Sequence, residues 1–167
     1  DDDENGYVDD VGGWNAYNDD GNVSGSRHGT HVAGIAAARG DDGLQVTGVN
    51  WDSKIMNIRG SSGTTSIVLR AYGYALKQKQ IWLESGGERG ANVVVTNSSF
   101  GIDYANCESG TYPAWNDIYN EMGEAGILSA AATINNSVNV DERGDVPTGC
   151  SSPYIIAVTN TTVEGVK

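Results

Sequence analysis

The strongest constraint on this chain is its alternation of short apolar, β-branched runs with stretches of helical spacing. Val93, Val94 and Val95 form a run typical of a buried parallel strand, and residues 46–50, 54–58, 127–133 and 154–159 read as further short strands. Residues 28–39 predict a helix of small side chains. Its Val32, Ala33, Ile35, Ala36 and Ala37 are expected to pack closely on a sheet, with Gly40 as its C-cap. Residues 64–81 carry helical spacing at Ile67, Leu69, Tyr72, Ala75 and Leu76, with Thr64 or Ser66 as the cap, and residues 113–124 predict another helix. Alternation of this kind is the signature of an α/β fold on a parallel sheet with right-handed crossovers. Residues 1–25, rich in Asp, Asn and Gly, read as an irregular loop. With no internal repeat or linker, residues 1–167 are expected to form one domain, or part of one.

Composition removes several functional classes. The net charge is −12 and the basic residues never cluster, which argues against a nucleic-acid groove, where Lys and Arg must displace counterions. The mainly apolar stretches, such as residues 127–134, fall far below membrane-spanning length, so no membrane partner is expected. Neither a G-x-G-x-x-G fingerprint nor a phosphate-cradling G-x-x-x-x-G-K is present, so no organic cofactor is expected. No signal peptide opens the chain, which fits a cytosolic protein and a mature secreted one equally. Cys107 and Cys150 lie in loop-like segments. Paired, they would close a long loop and contribute about 4 kcal/mol in the chain-entropy model. Unpaired, they would be ordinary thiols without metal spacing. The acidic surface and even cysteine count lean towards a secreted or extracellular protein.

The sharpest chemical feature is the run His28-Gly29-Thr30-His31-Val32-Ala33-Gly34-Ile35-Ala36-Ala37. A histidine acting as a base must be neutral at rest, accessible and held in one orientation. The start of a helix suits His28, because the positive end of the helix dipole disfavours the imidazolium. A zinc site built on His28 and His31 lacks the companion Glu and third ligand of zinc proteases. A second feature is Asp1-x-Asp3-x-Asn5-Gly6-Tyr7-x-Asp9, with oxygen ligands at alternating positions, a Gly for the turn and the Tyr7 carbonyl. It matches the first half of an EF-hand-type calcium loop, but the twelfth position is Gly12 instead of a bidentate Glu. Calcium binding and a solvated acidic loop both fit this pattern.

The decapeptide resembles the catalytic-histidine motif of the subtilisin-like serine proteases, the subtilases. Two more segments agree in order. Asn97-Ser98-Ser99-Phe100-Gly101, after the valine run, resembles the family's substrate-binding segment, and residues 126–135 resemble the strand ending at its oxyanion asparagine. Residues 153–159 resemble the strand that follows, so the likeness spans essentially the whole chain. It implies a three-layer, mostly parallel α/β sheet with flanking helices, incomplete here at both ends, and a serine endopeptidase as the parent protein.

The resemblance also implies roles. His28 would be the general base and Asn135, ahead of its neighbour Asn136, the oxyanion donor. Ser99, Phe100 and Gly101 would pair with an extended polypeptide substrate, Gly101 admitting it closely. Ala130, Ala131, Ala132 and Thr133 would line the other wall of the specificity pocket. Calcium, which subtilases often bind, would be held by Asp1, Asp3, Asn5, Tyr7 and Asp9.

The chain also departs from the family pattern. No Asp-Thr/Ser-Gly precedes His28: Asp1, Asp2, Asp3, Asp9, Asp10, Asp19 and Asp20 all lie in the irregular loop. No Gly-Thr-Ser supplies a nucleophile, since Gly63-Thr64-Thr65 lacks the serine and comes too early. The triad Asp and Ser are therefore expected in flanking segments of the same catalytic domain, with this stretch alone inactive. Thr133-Ile134 replaces the more usual Ala-Gly before the oxyanion Asn, and Arg27 before the histidine is likewise unusual. The alternative is a non-catalytic calcium- or peptide-binding domain on a subtilase-derived scaffold.

Overall fold

The computed structural model describes residues 3–44, 46–61 and 64–166; Asp1, Asp2 and Gly63 of the motifs above lie outside them. The chain forms two compact units, one containing Tyr7–Arg59 and one combining Asp3–Gly6 with the chain from Gly60 onward.

In the smaller unit, β1 (Gly13–Asn15) pairs in parallel with β2 (Asn57–Arg59), matching Trp14 to Ile58. Only glycine serves at position 13, where φ is +118° and a Cβ would stand 1.9 Å from the Asn57 carbonyl oxygen. Trp14 is buried, and the Tyr7 ring meets it edge-on at 4.7 Å. Strand β1 falls inside the expected irregular loop, and β2 covers only the end of the expected strand at residues 54–58.

Helix α1 (Arg27–Ala37) forms where the sequence predicts it, but its surroundings correct two expectations. None of its residues is buried, and Ile35 is 68% exposed. Within this unit the sheet is two strands of three residues, too small to cover a helix of eleven. Residues 46–50 do not pair as a strand either. The N–H groups of Gly48, Val49 and Asn50 donate to the carbonyls of Ala38, Ile35 and Ala36, satisfying the free end of the helix. The cap is Ala38 in extended conformation; Gly40 instead lets the Trp51 ring lie against the backbone.

The larger unit is built on a three-stranded parallel sheet of order β3 (Val95–Ser98), β5 (Leu128–Ala132), β7 (Ile155–Val158). Its register sets Asn97 beside Ala130 and Ala130 beside Ile156. Helices α2 (Thr65–Glu84) and α3 (Pro113–Glu124) flank it, giving the α/β arrangement with parallel strands that the alternation implies. Proline at the first position of α3 loses no hydrogen bond, and Trp115, Tyr119 and Met122 then fall on one buried face. In α2 the expected Tyr72, Ala75 and Leu76 are buried, joined by Val68 and Lys79, while Ile67 and Leu69 at the helix start are only partly covered.

These faces close a core of Val68, Tyr72, Leu76, Trp115, Tyr119, Met122, Ile127 and Val146. Tyr72 ties it to the sheet, its hydroxyl lying 2.6 Å from the Ser98 Oγ and 2.7 Å from the Tyr119 hydroxyl. Burial raises both tyrosines above their usual value of 10.0. The valine run is not fully buried: Val95 lies on the open face of the edge strand β3, and Val94, just before the strand, is also exposed. Leu128, Ile156 and Val158 share that face with Val95 and are about half exposed. Two short elements escape sequence reading: β4 (Ile102–Asp103) pairs antiparallel with β6 (Asp145–Val146), just after the four-residue helix α4 (Val140–Arg143).

Candidate active site

Ser26 decides where α1 begins. Its backbone is extended and its Oγ accepts the Gly29 N–H at 3.0 Å, an N-cap, while the Thr30 hydroxyl donates back to the Ser26 carbonyl at 3.0 Å. His28 is thus the second residue of the helix, exposed, in the turn whose N–H groups point outward. His31 is exposed one turn on, and among the described residues no three His, Cys, Asp or Glu side chains gather to hold a metal ion.

The other candidates lie in the larger unit, at the carboxyl ends of adjacent parallel strands, where α/β sheets place their ligands. β3 runs into Ser99, Phe100 and Gly101; β5 runs into Thr133, Ile134 and Asn135. The register that sets Asn97 beside Ala130 and Ser98 beside Ala131 brings the two segments side by side. The Thr133 N–H donates to the Val158 carbonyl at 2.9 Å, prolonging the sheet one residue past β5. Alternation splits the three alanines: Ala131 is 2% exposed on the covered face, while Ala130 and Ala132 are turned to the open one.

Phe100 packs towards the core, its ring 6.4 Å from that of Trp115. At Gly101 a Cβ would stand 2.7 Å from the Val146 carbonyl oxygen, so the close approach there is to the chain's own backbone. Ile134 is buried, and its N–H donates to the Asp145 carboxylate at 3.2 Å. The next two asparagines differ. The Asn136 amide donates to the Tyr104 hydroxyl at 3.1 Å, whereas Asn135 is exposed and its side chain has no hydrogen-bond partner among the described residues.

A disulfide joins Cys107 to Cys150, with Cα atoms 5.1 Å apart, and ties the loop after β4 to the loop after β6. Sequence reasoning missed Asp145, Thr148 and Tyr104; only the Val146-Pro147 pair, joined by a cis peptide, marks that loop as a tight turn.

The acidic segment offers oxygen donors of the type calcium takes, and its described side chains bond among themselves and to Arg89. The Asn5 amide donates to the Asp3 carboxylate at 3.0 Å, Arg89 donates to the Asp3 carbonyl at 3.4 Å, and its guanidinium lies 3.9 Å from Glu4. Of these contacts only that from Asn5 engages a carboxylate of the expected ligand set, that of Asp3. Asp1 lies outside the described residues.

In the larger unit two adjacent parallel strand ends carry candidate residues, and in the smaller a capped helix carries the histidine; comparison with known proteins gives their family. The family model described as the Subtilase family, Peptidase S8, matches residues 1–166, and the chain belongs to that family. It is 47% identical over 57 residues to Subtilisin-like protease 1 of Plasmodium vivax, a stretch that is 34% of this chain and 9% of that protein. The protein of the same name from Plasmodium falciparum is 47% identical over 57 residues, 8% of its length, and that of Plasmodium berghei 44%, 10% of its length. The match therefore spans a small part of these curated relatives.

Proposed function

We propose that this chain is the central segment of a serine endopeptidase that hydrolyses peptide bonds in proteins, with His28 as general base and Asn135 as oxyanion donor. The observation that supports it best is the contrast between the neighbouring asparagines: Asn136 is engaged by Tyr104, while the Asn135 amide is exposed and unengaged in the segment just beyond β5. A donor of this kind stabilises charge developing on the substrate carbonyl and is worth roughly 3–4 kcal/mol, a figure drawn from the family's own asparagine. His28 would take the proton from a serine hydroxyl as it attacks the carbonyl, then give it to the leaving amine. Its place at a capped helix start, accessible to solvent, suits both transfers.

Ser99, Phe100 and Gly101 would bind an extended polypeptide through backbone hydrogen bonds. With the Phe100 ring turned to Trp115, the backbone of this segment is what remains to offer. Ala130, Ala132 and Thr133 would form the opposite wall, with Ala131 supporting it from behind. The disulfide favours secretion, since such bonds persist in oxidising compartments. Among the described residues no helix is long and apolar enough to cross a membrane.

Structural calcium on Asp1, Asp3, Asn5, Tyr7 and Asp9 rests on the sequence pattern alone. A rise in melting temperature on adding millimolar calcium supports it, and an unchanged temperature removes it.

The test of the function is peptide hydrolysis by the intact protein that contains this chain. Asn135→Ala should lower kcat by about 10²–10³-fold, and His28→Ala should abolish nearly all activity. Full activity in either variant overturns the role assigned to that residue. Inactivity of the intact protein itself would favour a peptide-binding domain on the same scaffold.

A further inference from the structure

Asp145 is the one buried acid among the described residues, 1% exposed. It lies between the two strand ends that form the proposed site. Its Oδ2 accepts the Ile134 N–H at 3.2 Å and also the Thr148 hydroxyl. Its backbone stands opposite Asp103 in the β4–β6 pair, and its carbonyl accepts the Gly149 N–H at 2.7 Å. Its Oδ1 is buried without a donor and faces Gly101, where a Cβ would stand 3.7 Å away. A single side chain therefore borders the last residue of the 97–101 segment and holds the residue before Asn135.

A buried carboxylate is costly, and one left with an unpartnered oxygen more so. A neutral acceptor could close the same turn with less desolvation. What the charge adds is a stronger bond to the Ile134 N–H, since charge-assisted hydrogen bonds are roughly twice as strong as neutral ones. That N–H belongs to the peptide one residue before Asn135, where the chain has left the sheet and no strand partner fixes its direction.

We propose that Asp145 is a positioning residue of the oxyanion site: its carboxylate pins the Ile134 peptide and so aims the Asn135 side chain. The inference rests on the role proposed for Asn135. It predicts an effect on the reacting state and not on binding, because an oxyanion donor misplaced by a fraction of an ångström loses contact with a charge that exists only in the transition state.

The experiment is a double-mutant cycle in the intact protein, read as kcat and KM for peptide hydrolysis. Asp145→Ala should lower kcat by about 10–100-fold with KM changed less than about threefold. Asp145→Asn keeps an acceptor for Ile134 but removes its charge, so its kcat should lie between those of the parent and Asp145→Ala, about three- to tenfold below the parent. In an Asn135→Ala background, Asp145→Ala should cost less than about twofold, because the group it aims is gone. An equal loss in both backgrounds, or a change confined to KM, overturns the proposal. If Asp145→Ala does not fold, Thr148→Ala takes its place. It should cost about two- to fivefold in kcat, again only while Asn135 is present, and an equal loss in both backgrounds is the contrary result. The two readings fail separately. An Asn135→Ala variant with unchanged kcat sinks the role of Asn135 and this inference with it, whereas an impaired Asn135→Ala with additive Asp145→Ala sinks this inference alone.

Discussion

The two units hold their chemistry in opposite ways. In the smaller, His28 rides on a helix with no buried residue, capped by Ser26 at its start and bonded by the N–H groups of residues 48–50 at its far end. In the larger, the segments that would bind and polarise a peptide are extensions of strands whose register, core, buried carboxylate and disulfide all constrain them. Burial and cross-linking are what distinguish the two.

The comparison can be broken at several points. The largest effect should come from Cys150→Ser: opening the loop of 43 residues is expected to cost the larger unit about 4 kcal/mol, read as a lower denaturant midpoint. Hydrogen exchange in α1 should not change. Met122→Ala, which empties a fully buried site, should cost about 2–5 kcal/mol in the same unit. If either variant loosens α1 as much as α3, the units are not independent in stability.

Alkali should act on the larger unit through its tyrosines. Burial, foremost, raises Tyr72 and Tyr119, so the folded chain keeps protons that the unfolded chain releases near the usual value of 10.0. Their contribution is full below that pH and is lost as pH rises above it. Tyr119→Phe should flatten the fall in midpoint above about pH 10; an unchanged slope would contradict the assignment.

The smallest effect belongs to the smaller unit. Ser26→Ala removes the α1 cap and should cost about 1 kcal/mol of local helix stability, seen as faster amide exchange at Gly29 and Thr30 with α3 unmoved.

How far the sequence reaches follows the same division. Helix α3 is legible to the residue, because Pro113 marks its start and an i, i+4, i+7 stripe its buried face. The three sheet strands are legible as elements, although the valine run starts its strand late and is only half covered. Helix α1 is legible as a helix, but its burial is not, since packing depends on the area of sheet around it and not on its own side chains. Strands of two or three residues, such as β1, β4 and β6, are too short for any period to show. Asp145 could not be found from spacing, because its partner Ile134 lies eleven positions earlier, on the far side of α4. His28 and Asn135 are the reverse case: the roles proposed for them come from local motifs, and what the structure adds is the capped helix start and the contrast with Asn136.

The most direct measurement is covalent labelling of the intact protein with a phosphonate probe that reacts only with a base-activated serine. The account predicts stoichiometric labelling of the parent, loss of labelling in His28→Ala, and retained but slowed labelling in Asn135→Ala, whose oxyanion would be poorly stabilised. A His28→Ala variant labelled at the parent's rate would show that this histidine is not the base and would contradict the account at its centre.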